Sequence, residues 1–516
     1  MSVRGRREEH AAMTIPFYVS TAIPYVNAEP HLGFAYEAVL ADVIARHARA
    51  RGHDVRFVTG SDEHSLKNVL AAERAGVSVA ELVRANAARF AALRETLDLS
   101  TDVFVRTSEP RHRAAVERSW RALAERGELY RAPYRGLYCA GCERFVDEGE
   151  ERCDEHPQSA LERVEEENWF LRLSAHGETI ARAIDEGRLR IEPEAHRREV
   201  LALLRAGLRD VSVSRSARRA RGWAIPVPGD AGSAKDAQVI WVWLDALTSY
   251  ASAIGYGDDD EAFGASWREA RERVHVLGKG ILRFHAALWP ALLSAAREPW
   301  PTRLYVHGYV TVEGRKIAKS GAAAISPFEL VARHGTDAVR WFLLRHLPVD
   351  RDGDFSLERF VAVHDAELAN QLGNLLARTV SLIERAGGRV PSAHEETELE
   401  RALRVEVDGL AARVDDALDR FAPHEAASAI ARVVLAANAY ADRRAPWSLA
   451  RDPDARPALE TTLFHLADAL RVIALALAPL LPSTARAIAH QLGADALGAP
   501  GLHVRRGAPL FPRIAR

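Results

Sequence analysis

The first candidate for chemistry in this 516-residue chain is a histidine at the expected start of a long helix. His31 is followed by Leu32 and Gly33, and an imidazole at that point can donate a hydrogen bond to a phosphate. The N-terminal backbone N–H groups and the positive dipole end of a helix also favour an anion. Gly33 leaves room for a flat ligand to approach the backbone. A plain helix start is the alternative, because three residues recur by chance.

Two further groups of polar residues could act on the same ligand. Lys316 and Lys319 lie three positions apart in a glycine-bounded loop that also contains Ser320, and ammonium groups on such a loop can stabilise negative charge on phosphates. Asp62 and His64 follow an apolar run, where the carboxyl ends of parallel strands bind ligands in open α/β sheets. They could equally be a helix cap and a surface histidine.

All three cysteines lie in one short segment together with a histidine. Cys139 and Cys142 form one C-x-x-C pair, and Cys153 and His156 form a second pair that begins eleven positions after Cys142. Two such pairs on tight turns supply the four ligands that zinc binds as a tetrahedron, and a site closed by four protein ligands is structural. Scattered thiols are the alternative. An odd, clustered set does not form a disulfide framework, which indicates a reducing cytosol.

The elements that must position these residues begin with alternating strands and helices. Apolar runs predict buried strands, and helical periodicity predicts the segments between them. The pattern predicts a strand at 15–19, a helix at 33–52, a strand at 54–59, a helix at 78–97 opened by a Ser78–Glu81 capping box, and a helix at 106–125. This βαβα order predicts the start of a doubly wound parallel sheet.

The pattern changes after Glu125. Residues 165–208 are predicted to be mostly helical, with a break at 191–193. Strands are then predicted at 210–215, 238–243, 274–280 and 303–309. Beyond about Val331 only helices are predicted, which indicates an all-α bundle at the C-terminal end.

The composition excludes several classes of protein. The formal net charge is −2, with 27% charged and 48% hydrophobic residues, so no overall field points to nucleic acid, and a polyanion must meet local basic patches. The first ten residues lack the apolar core of a signal peptide. The longest apolar run, Val472–Pro482, is too short to span a membrane. The length suggests two to four domains.

Taken together, these motifs resemble those of methionyl-tRNA synthetases, a family of class I aminoacyl-tRNA synthetases, from about Thr14 to near the C-terminus. The HIGH element of the family is matched by His31–Phe34, and its KMSKS loop by Lys316–Ser320. The cysteine pairs are similar to those of single-zinc members. Further matching segments are 22–27, 35–37, 51–54, 59–64, 243–250 and 284–285.

The resemblance implies a two-step reaction. The carboxylate of methionine attacks the α-phosphate of ATP, pyrophosphate leaves, and the terminal ribose hydroxyl of tRNA(Met) then takes the aminoacyl group from the adenylate. ATP would arrive with magnesium, and one structural zinc is expected per chain. The chain ends soon after the predicted bundle, without the oligonucleotide-binding module that dimerises some relatives, so a monomer is expected. The cysteine content indicates a cytoplasmic location.

The resemblance also implies a fold and its divisions. It implies a Rossmann-like, doubly wound α/β sheet with an inserted zinc-containing connective domain and a C-terminal all-α bundle. The expected divisions are a first half of the catalytic domain at 14–117, the connective insertion at 118–235, a second half with the lysine loop at 236–322, a stem-contact linker at 323–365 and an anticodon-binding domain at 366–516.

Site residues follow position by position from the family motifs. A largely apolar, aromatic pocket suits the weakly polar thioether of methionine, and Asp62 would hold the substrate ammonium. Asn374 and Arg378 lie on the polar face of a predicted helix, whereas a tryptophan beside a proline is most often a core residue. The implied set is His31, Lys316, Lys319 and Arg215 for catalysis; His31, Gly33, Lys319 and Ser320 for ATP; Ala22, Ile23, Tyr25, Asp62, Trp243, Tyr250 and His285 for methionine; Cys139, Cys142, Cys153 and His156 for zinc; and Asn374, Arg378 and Trp447 for the CAU anticodon.

Several positions depart from the family pattern. Phe34 replaces the second histidine of HIGH, Ile317 and Ala318 replace Met and Ser of KMSKS, Gly280 replaces the aspartate after Gly-Lys, and Ala224 replaces a glycine. Losing one donor to a transition-state oxyanion costs on the order of 10²–10³ in rate. The sequence therefore leaves three hypotheses: a working but slower ligase, a paralogue with altered amino-acid choice or impaired catalysis, and a tRNA-binding protein without chemistry. Phe34→His would raise the adenylation rate in a site still built for histidine, but not in one rebuilt around a phenyl ring.

Overall fold

The first part of the chain alternates strands and helices, as predicted. The computed structural model describes residues 15–139, 144–146, 152–153, 160–230, 237–316, 325–494 and 503–514. The first elements are β1 (Pro16–Thr21), α1 (Leu32–Ala50), β2 (Asp54–Ser61), α2 (Leu66–Ala75), α3 (Val79–Thr96), β3 (Val103–Arg106) and α4 (Pro110–Glu125). The capping box of Ser78 and Glu81 is confirmed, with both reciprocal hydrogen bonds present. The prediction of a helix from Arg106 was wrong at its start, because Val103–Arg106 pairs with β2 and the helix begins at Pro110.

An antiparallel sheet follows, and for the part of it that begins at Glu165 the sequence predicted helix. The elements are β4 (Leu129–Cys139), β5 (Arg144–Phe145), β6 (Glu162–Leu171), α5 (Gly177–Asp185), β7 (Arg190–Glu192), α6 (Glu194–Ala206), β8 (Val211–Ser212) and β9 (Ser214–Ser216). Helix was wrong for the segment up to Leu171, which pairs with β4 along its whole length. Cross-strand contacts such as the stacked rings of Tyr130 and Phe170, with centroids 5.6 Å apart, outweigh the helix preference of its glutamates.

The third part returns to the parallel sheet. Its elements are β10 (Gln238–Ile240), α7 (Val242–Ser252), α8 (Asp260–Phe263), β11 (Glu272–Gly278), α9 (Trp289–Ala296), β12 (Arg303–His307), β13 (Val310–Val312) and β14 (Arg315–Lys316). The predicted strand at 238–243 is shorter than expected, since α7 begins at Val242.

The C-terminal part is helical except for one short strand. Its elements are α10 (Pro327–His334), α11 (Thr336–His346), β15 (Gly353–Phe355), α12 (Leu357–Val363), α13 (Asn374–Arg385), α14 (Glu398–Asp408), α15 (Leu410–Asp419), α16 (Pro423–Arg444), α17 (Pro446–Leu449), α18 (Arg456–Leu477) and α19 (Pro482–Gln491). A π-helical stretch, His364–Gly373, joins α12 to α13. The expectation of helices alone beyond Val331 was wrong for β15, which pairs in parallel with β13.

The central sheet has the predicted doubly wound topology. Its strand order is β3-β2-β1-β11-β12-β7, and every neighbouring pair is parallel. The order reverses between β1 and β11, and ligands of such sheets bind outside the carboxyl ends of the strands at this switch point. The short strand β7, which lies between α5 and α6, occupies the far edge beside β12.

A fully buried arginine joins the helical part to the sheet. Arg340 on α11 lies 2.7 Å from Asp42 on α1, and its other nitrogens donate to the carbonyls of Leu480 and Leu97 at 2.7 and 2.9 Å. The second oxygen of Asp42 accepts from the N–H of Ser100 at 2.6 Å. Both side chains of the ion pair have no exposed surface. The pair therefore fixes α1, whose N-terminus carries His31, against the C-terminal helices.

Replacing Arg340 with methionine should lower the free energy of unfolding by about 3–5 kcal/mol. The buried carboxylate of Asp42 would keep only the partly exposed Arg46, at 2.8 Å, as an ion-pair partner, and the carbonyls of Leu480 and Leu97 would lose their donor. The urea midpoint, followed by tryptophan fluorescence, measures the change. Arg456→Met is the matched control, since Arg456 is 70% exposed in a helical pair with Glu460 and should cost only about 0.3–0.5 kcal/mol. Equal midpoints for the two variants would contradict the proposed role of Arg340.

Candidate active site at the carboxyl edge of the sheet

His31 caps the N-terminus of α1 with its own ring. The Nδ1 atom accepts a hydrogen bond from the N–H of Gly33 at 3.1 Å, so the neutral ring carries its hydrogen on Nε2. A Cβ atom at position 33 would lie 3.0 Å from Cε1 of His31, so a side chain there would displace the ring. The local sequence thus fixes the imidazole at the positive end of a helix, as an anion site requires.

A buried glutamate one turn into α1 holds three parts of the edge together. Glu37 accepts from the N–H of Ala22 at 2.9 Å, just after β1. Its other oxygen lies 3.0 Å from Nε2 of His307 at the end of β12. Glu37 and His307 are both buried. This side chain therefore links the helix that carries His31 to the ends of two strands of the sheet.

The predicted methionine residues Ile23, Tyr25 and Trp243 are partly exposed apolar side chains that pack on one buried cluster. Trp243 stacks on Phe284 with centroids 3.8 Å apart and planes at 15°. Tyr25 forms a parallel β-bridge with Asp62, whose side chain is buried. The structure thus brings the predicted apolar residues onto one surface, with Asp62 beside it.

Tyr250 and His285 add an uncharged polar pair to this surface. The Tyr250 hydroxyl lies 2.7 Å from Nε2 of His285, and Nδ1 of His285 lies 3.0 Å from the carbonyl of Ile281. Burial lowers the pKa of His285 to about 4, so the ring is neutral at pH 7, donates from Nδ1 and accepts the hydroxyl at Nε2. Burial also raises the pKa of Tyr250 well above its usual value. A neutral aromatic surface binds a weakly polar ligand side chain more favourably than it binds a charged ligand side chain.

The predicted lysine loop begins at the same edge. β12 leads into the β13–β14 hairpin, in which Lys316 lies opposite Thr311, and β13 lies beside β15. Lys319 and Ser320 lie outside the described residues. The backbone of Lys316 therefore places the start of the loop near the end of β12.

Arg215 lies deeper than a phosphate contact would require. Its Nη1 donates to the carbonyls of Ser212 and Ser214 at 3.1 and 2.7 Å. The guanidinium lies 5.1 Å from the ring centroid of Trp241 and 5.7 Å from that of Tyr138, and burial lowers the pKa of Arg215. Its proposed catalytic role stays a prediction.

Two lysines at this edge were not predicted as site residues. Lys279 directly follows β11 and lies 2.8 Å from Asp352. Lys67 lies 4.9 Å from the ring centroid of Tyr25. The sequence contains five lysines against 64 arginines, and the two residue types are not interchangeable where a compact charge is needed. The rarity of lysine is the signal that could have identified both positions.

Phe284 was also missed as a pocket residue. The sequence placed it beside the predicted His285, but no local pattern indicates that its ring stacks on Trp243. That contact joins two segments about forty positions apart, so only the tertiary structure reveals it.

Two of the four predicted zinc ligands lie together. Cys139 and Cys153 are fully buried in one small cluster with Val146. Cys142 and His156 lie outside the described residues. Within the described residues no group of three or more His, Cys, Asp or Glu side chains is arranged to hold a metal ion, so the zinc site stays a prediction.

The predicted anticodon residues lie on the surface of the helical part. Asn374 and Arg378 are exposed on successive turns of α13, as the apolar periodicity predicted. Arg378 donates to the side chain of Asn438 on α16 at 2.8 Å. Trp447 in α17 is 41% exposed, so the alternative that it is a core residue was wrong.

In the described ranges no helix has both the length and the apolar character that a membrane span requires.

Comparisons with known proteins cover nearly the whole chain. The family model for class I tRNA synthetases (M) matches residues 17–160 and 153–380. The model for the anticodon binding domain of methionyl tRNA ligase matches residues 390–504. Of the predicted anticodon residues, Asn374 and Arg378 lie within the first match and Trp447 lies within the second.

Individual relatives agree with the family models. The methionine–tRNA ligase of Brucella suis is 37% identical over 515 residues, which cover 96% of this chain and 98% of that protein. The methionine–tRNA ligase of Caldanaerobacter subterraneus is 38% identical over 513 residues, covering 96% and 79%. A structure of Mycobacterium tuberculosis methionyl-tRNA synthetase in complex with methionyl-adenylate superposes with a TM-score of 0.90 at 36% identity, covering 97% of this chain and all of that one. The chain therefore belongs to the methionyl-tRNA synthetase family of class I tRNA synthetases.

Proposed function

We propose that this protein is a methionine–tRNA ligase, which forms methionyl-adenylate from methionine and ATP and transfers the methionyl group to tRNA(Met). The observation that carries the proposal is the coincidence of His31, Asp62 and the aromatic surface at the switch point of the sheet. The same arrangement belongs to a chain whose relatives with this name match it almost from end to end.

Each group at the edge has a role in the first step. His31 and the N-terminus of α1 would bind the phosphates of ATP, and Asp62 would hold the ammonium of methionine. The aromatic surface around Trp243 would receive the thioether. Lys316 and Lys319 would stabilise the charge that develops as pyrophosphate leaves, since catalysis here consists of positioning and charge stabilisation. Magnesium would enter with ATP as part of the substrate.

Phe34 supports a site adapted to a phenyl ring. Its side chain packs against the largest core cluster and meets Phe90 edge to face, with centroids 5.1 Å apart and planes at 70°. A histidine in that place would lose apolar contact and gain polar atoms next to a benzene ring. This packing favours the hypothesis that the site has been rebuilt around a phenyl ring over the hypothesis that it is still built for histidine.

The main test is methionine-dependent ATP–pyrophosphate exchange, followed by single-turnover adenylate formation. The parent protein should be active, and Phe34→His should leave the rate flat or lower it. Phe34→Leu keeps the apolar contact with Phe90 and should retain most of the rate. A rise of about tenfold with histidine, worth about 1.4 kcal/mol of transition-state stabilisation, would contradict the adapted site. A parent protein that turns over no amino acid would end the enzyme proposal and leave a tRNA-binding protein.

We also propose one structural zinc per chain, held by Cys139, Cys142, Cys153 and His156. The burial of Cys139 and Cys153 in one cluster supports it, because thiolate ligands of a structural zinc are buried together. The metal would tie the end of β4 to the segment around Cys153 and would take no part in the reaction. Thiolate ligands need a reducing compartment, which supports a cytoplasmic location, whereas the monomeric state stays a prediction.

Metal analysis of protein purified without added zinc should return about one equivalent. Cys142→Ser should lower the zinc content, because a three-ligand site binds more weakly. His176→Asn is the control, since His176 pairs with Glu128 away from the cysteines and should leave the zinc content unchanged. A fully folded, metal-free protein would contradict the proposal.

The exposed residues of α13 and α17 support anticodon binding. Asn374 and Arg378 offer an amide and a guanidinium to base edges, and Trp447 offers a ring for base stacking. The helical part carries no catalytic residue of the proposed first step. Loss of a base contact should therefore affect tRNA and not adenylate formation.

Trp447→Ala should lower kcat/KM for tRNA charging about 5- to 150-fold, since stacking on an aromatic ring is worth about 1–3 kcal/mol per base. ATP–pyrophosphate exchange should stay unchanged. Leu435→Ala is the matched control, because Leu435 is 50% exposed on α16 and should affect neither assay. Equal losses of charging and exchange in Trp447→Ala would show that the ring supports the fold instead.

A further inference from the structure

Asp245 is a buried carboxylate held by histidines from two other elements. It lies in the first turn of α7 and is 1% exposed. Its Oδ2 lies 2.7 Å from Nδ1 of His64, which follows β2. Its Oδ1 lies 2.6 Å from Nε2 of His112 on α4, and Nδ1 of His112 lies 2.7 Å from the hydroxyl of Ser252 at the end of α7. We call these four residues the Asp245 cluster.

The charges within the Asp245 cluster follow from burial and contact. Burial alone would raise the pKa of Asp245, but His64 and His112 hold it at about 2, so the side chain is a carboxylate. Burial alone would lower the pKa of His64, but the charge and hydrogen bond of Asp245 raise it. Glu63 also raises it and Arg113 on α4 lowers it. The bond between His64 and Asp245 is therefore charge-assisted at neutral pH.

Both ends of that bond adjoin groups of the proposed methionine site. His64 follows Asp62 by two positions, and Asp245 follows Trp243 by two positions on α7. Tyr250 lies on the same helix. The bond thus joins the segment that contains Asp62 to the helix that carries Trp243 and Tyr250 of the aromatic surface. Apolar contact alone is non-directional, whereas two short charge-assisted bonds fix both distance and orientation.

We propose that the Asp245 cluster is a positioning element. It sets the distance between Asp62 and the aromatic surface around Trp243, and thereby the affinity for methionine. The inference rests on the proposed function and extends it to residues that touch neither substrate. It predicts that the affinity for methionine changes while the affinity for ATP does not. Loss of the cluster weakens methionine binding, while ATP binding, for which His31 and the N-terminus of α1 are proposed, is retained.

The experiment measures KM for methionine, KM for ATP and kcat in ATP–pyrophosphate exchange. His64→Ala should raise KM for methionine about 10- to 100-fold, the range expected for loss of a hydrogen bond to a charged group. KM for ATP and kcat should change less than about threefold. His64→Asn places an amide N–H near the position of Nδ1 and should restore most of the affinity for methionine. Likewise, His112→Gln should retain more of the affinity for methionine than His112→Ala.

Glu298→Gln is the matched control. Glu298 is buried and forms a 2.7 Å ion pair with Arg268. Glu298 precedes β12 and Arg268 precedes β11, so the pair lies at the amino edge of the sheet, away from the proposed site. A general loss of stability would act through this pair as well. The control should leave both KM values unchanged.

The pH profile separates positioning from a merely structural role. The raised pKa of His64 means that the imidazolium is present below that pKa and is lost as the pH rises through it. KM for methionine of the parent protein should therefore rise as the pH increases through this raised pKa, and the profile of His64→Asn should be flat. If His64→Ala is obtained only unfolded, these two profiles decide the inference.

The outcomes distinguish the two proposals. Exchange activity with an unchanged KM for methionine in His64→Ala, or a parallel loss of kcat and of both affinities, overturns the positioning role alone. Flat pH profiles for both proteins overturn it as well. A parent protein without exchange overturns the proposed function and this inference together.

Discussion

The parallel pairing of β1 with β2 on one side and with β11 on the other is the constraint on which the site depends. Val19 lies opposite Phe57 in one pairing and opposite Val274 in the other, and all three side chains are buried. Strands buried on both faces have their register fixed by core packing. His31 and Asp62 follow β1 and β2, so they emerge at one edge for reasons that have nothing to do with their chemistry.

Around this edge the molecule separates neutral from charged groups. Tyr250 and His285 are buried and uncharged at pH 7, whereas Asp62 and Asp245 are buried acidic side chains, and Asp245 is bonded to the imidazoles of His64 and His112. A ligand with one cationic end and an apolar tail matches this division. The cost of burying an unpaired charge would oppose a ligand with a charged tail.

The sequence predicted the parts of the fold in which local chemistry and tertiary packing agree. The capping box of Ser78 and Glu81 defines the start of α3 locally, and β1 and β2 are apolar runs because both faces are covered. β6 was missed because its glutamates favour helix and only the distant strand β4 makes it extended. The bond between His64 and Asp245 joins positions 181 apart, so no periodicity could reveal it. The zinc and anticodon residues came from motif spacing and resemblance, and their roles still depend on the experiments above.

The scarcity of lysine has a consequence for the reactivity of the protein. Lys67, Lys279 and Lys316 follow β2, β11 and β12 along the chain, and the whole sequence has only five lysines. An arginine does not react with acylating reagents at neutral pH, because its guanidinium keeps its proton. An amine-directed label on Lys67 or Lys279, which follow β2 and β11, would therefore mark the edge where substrates are expected to meet.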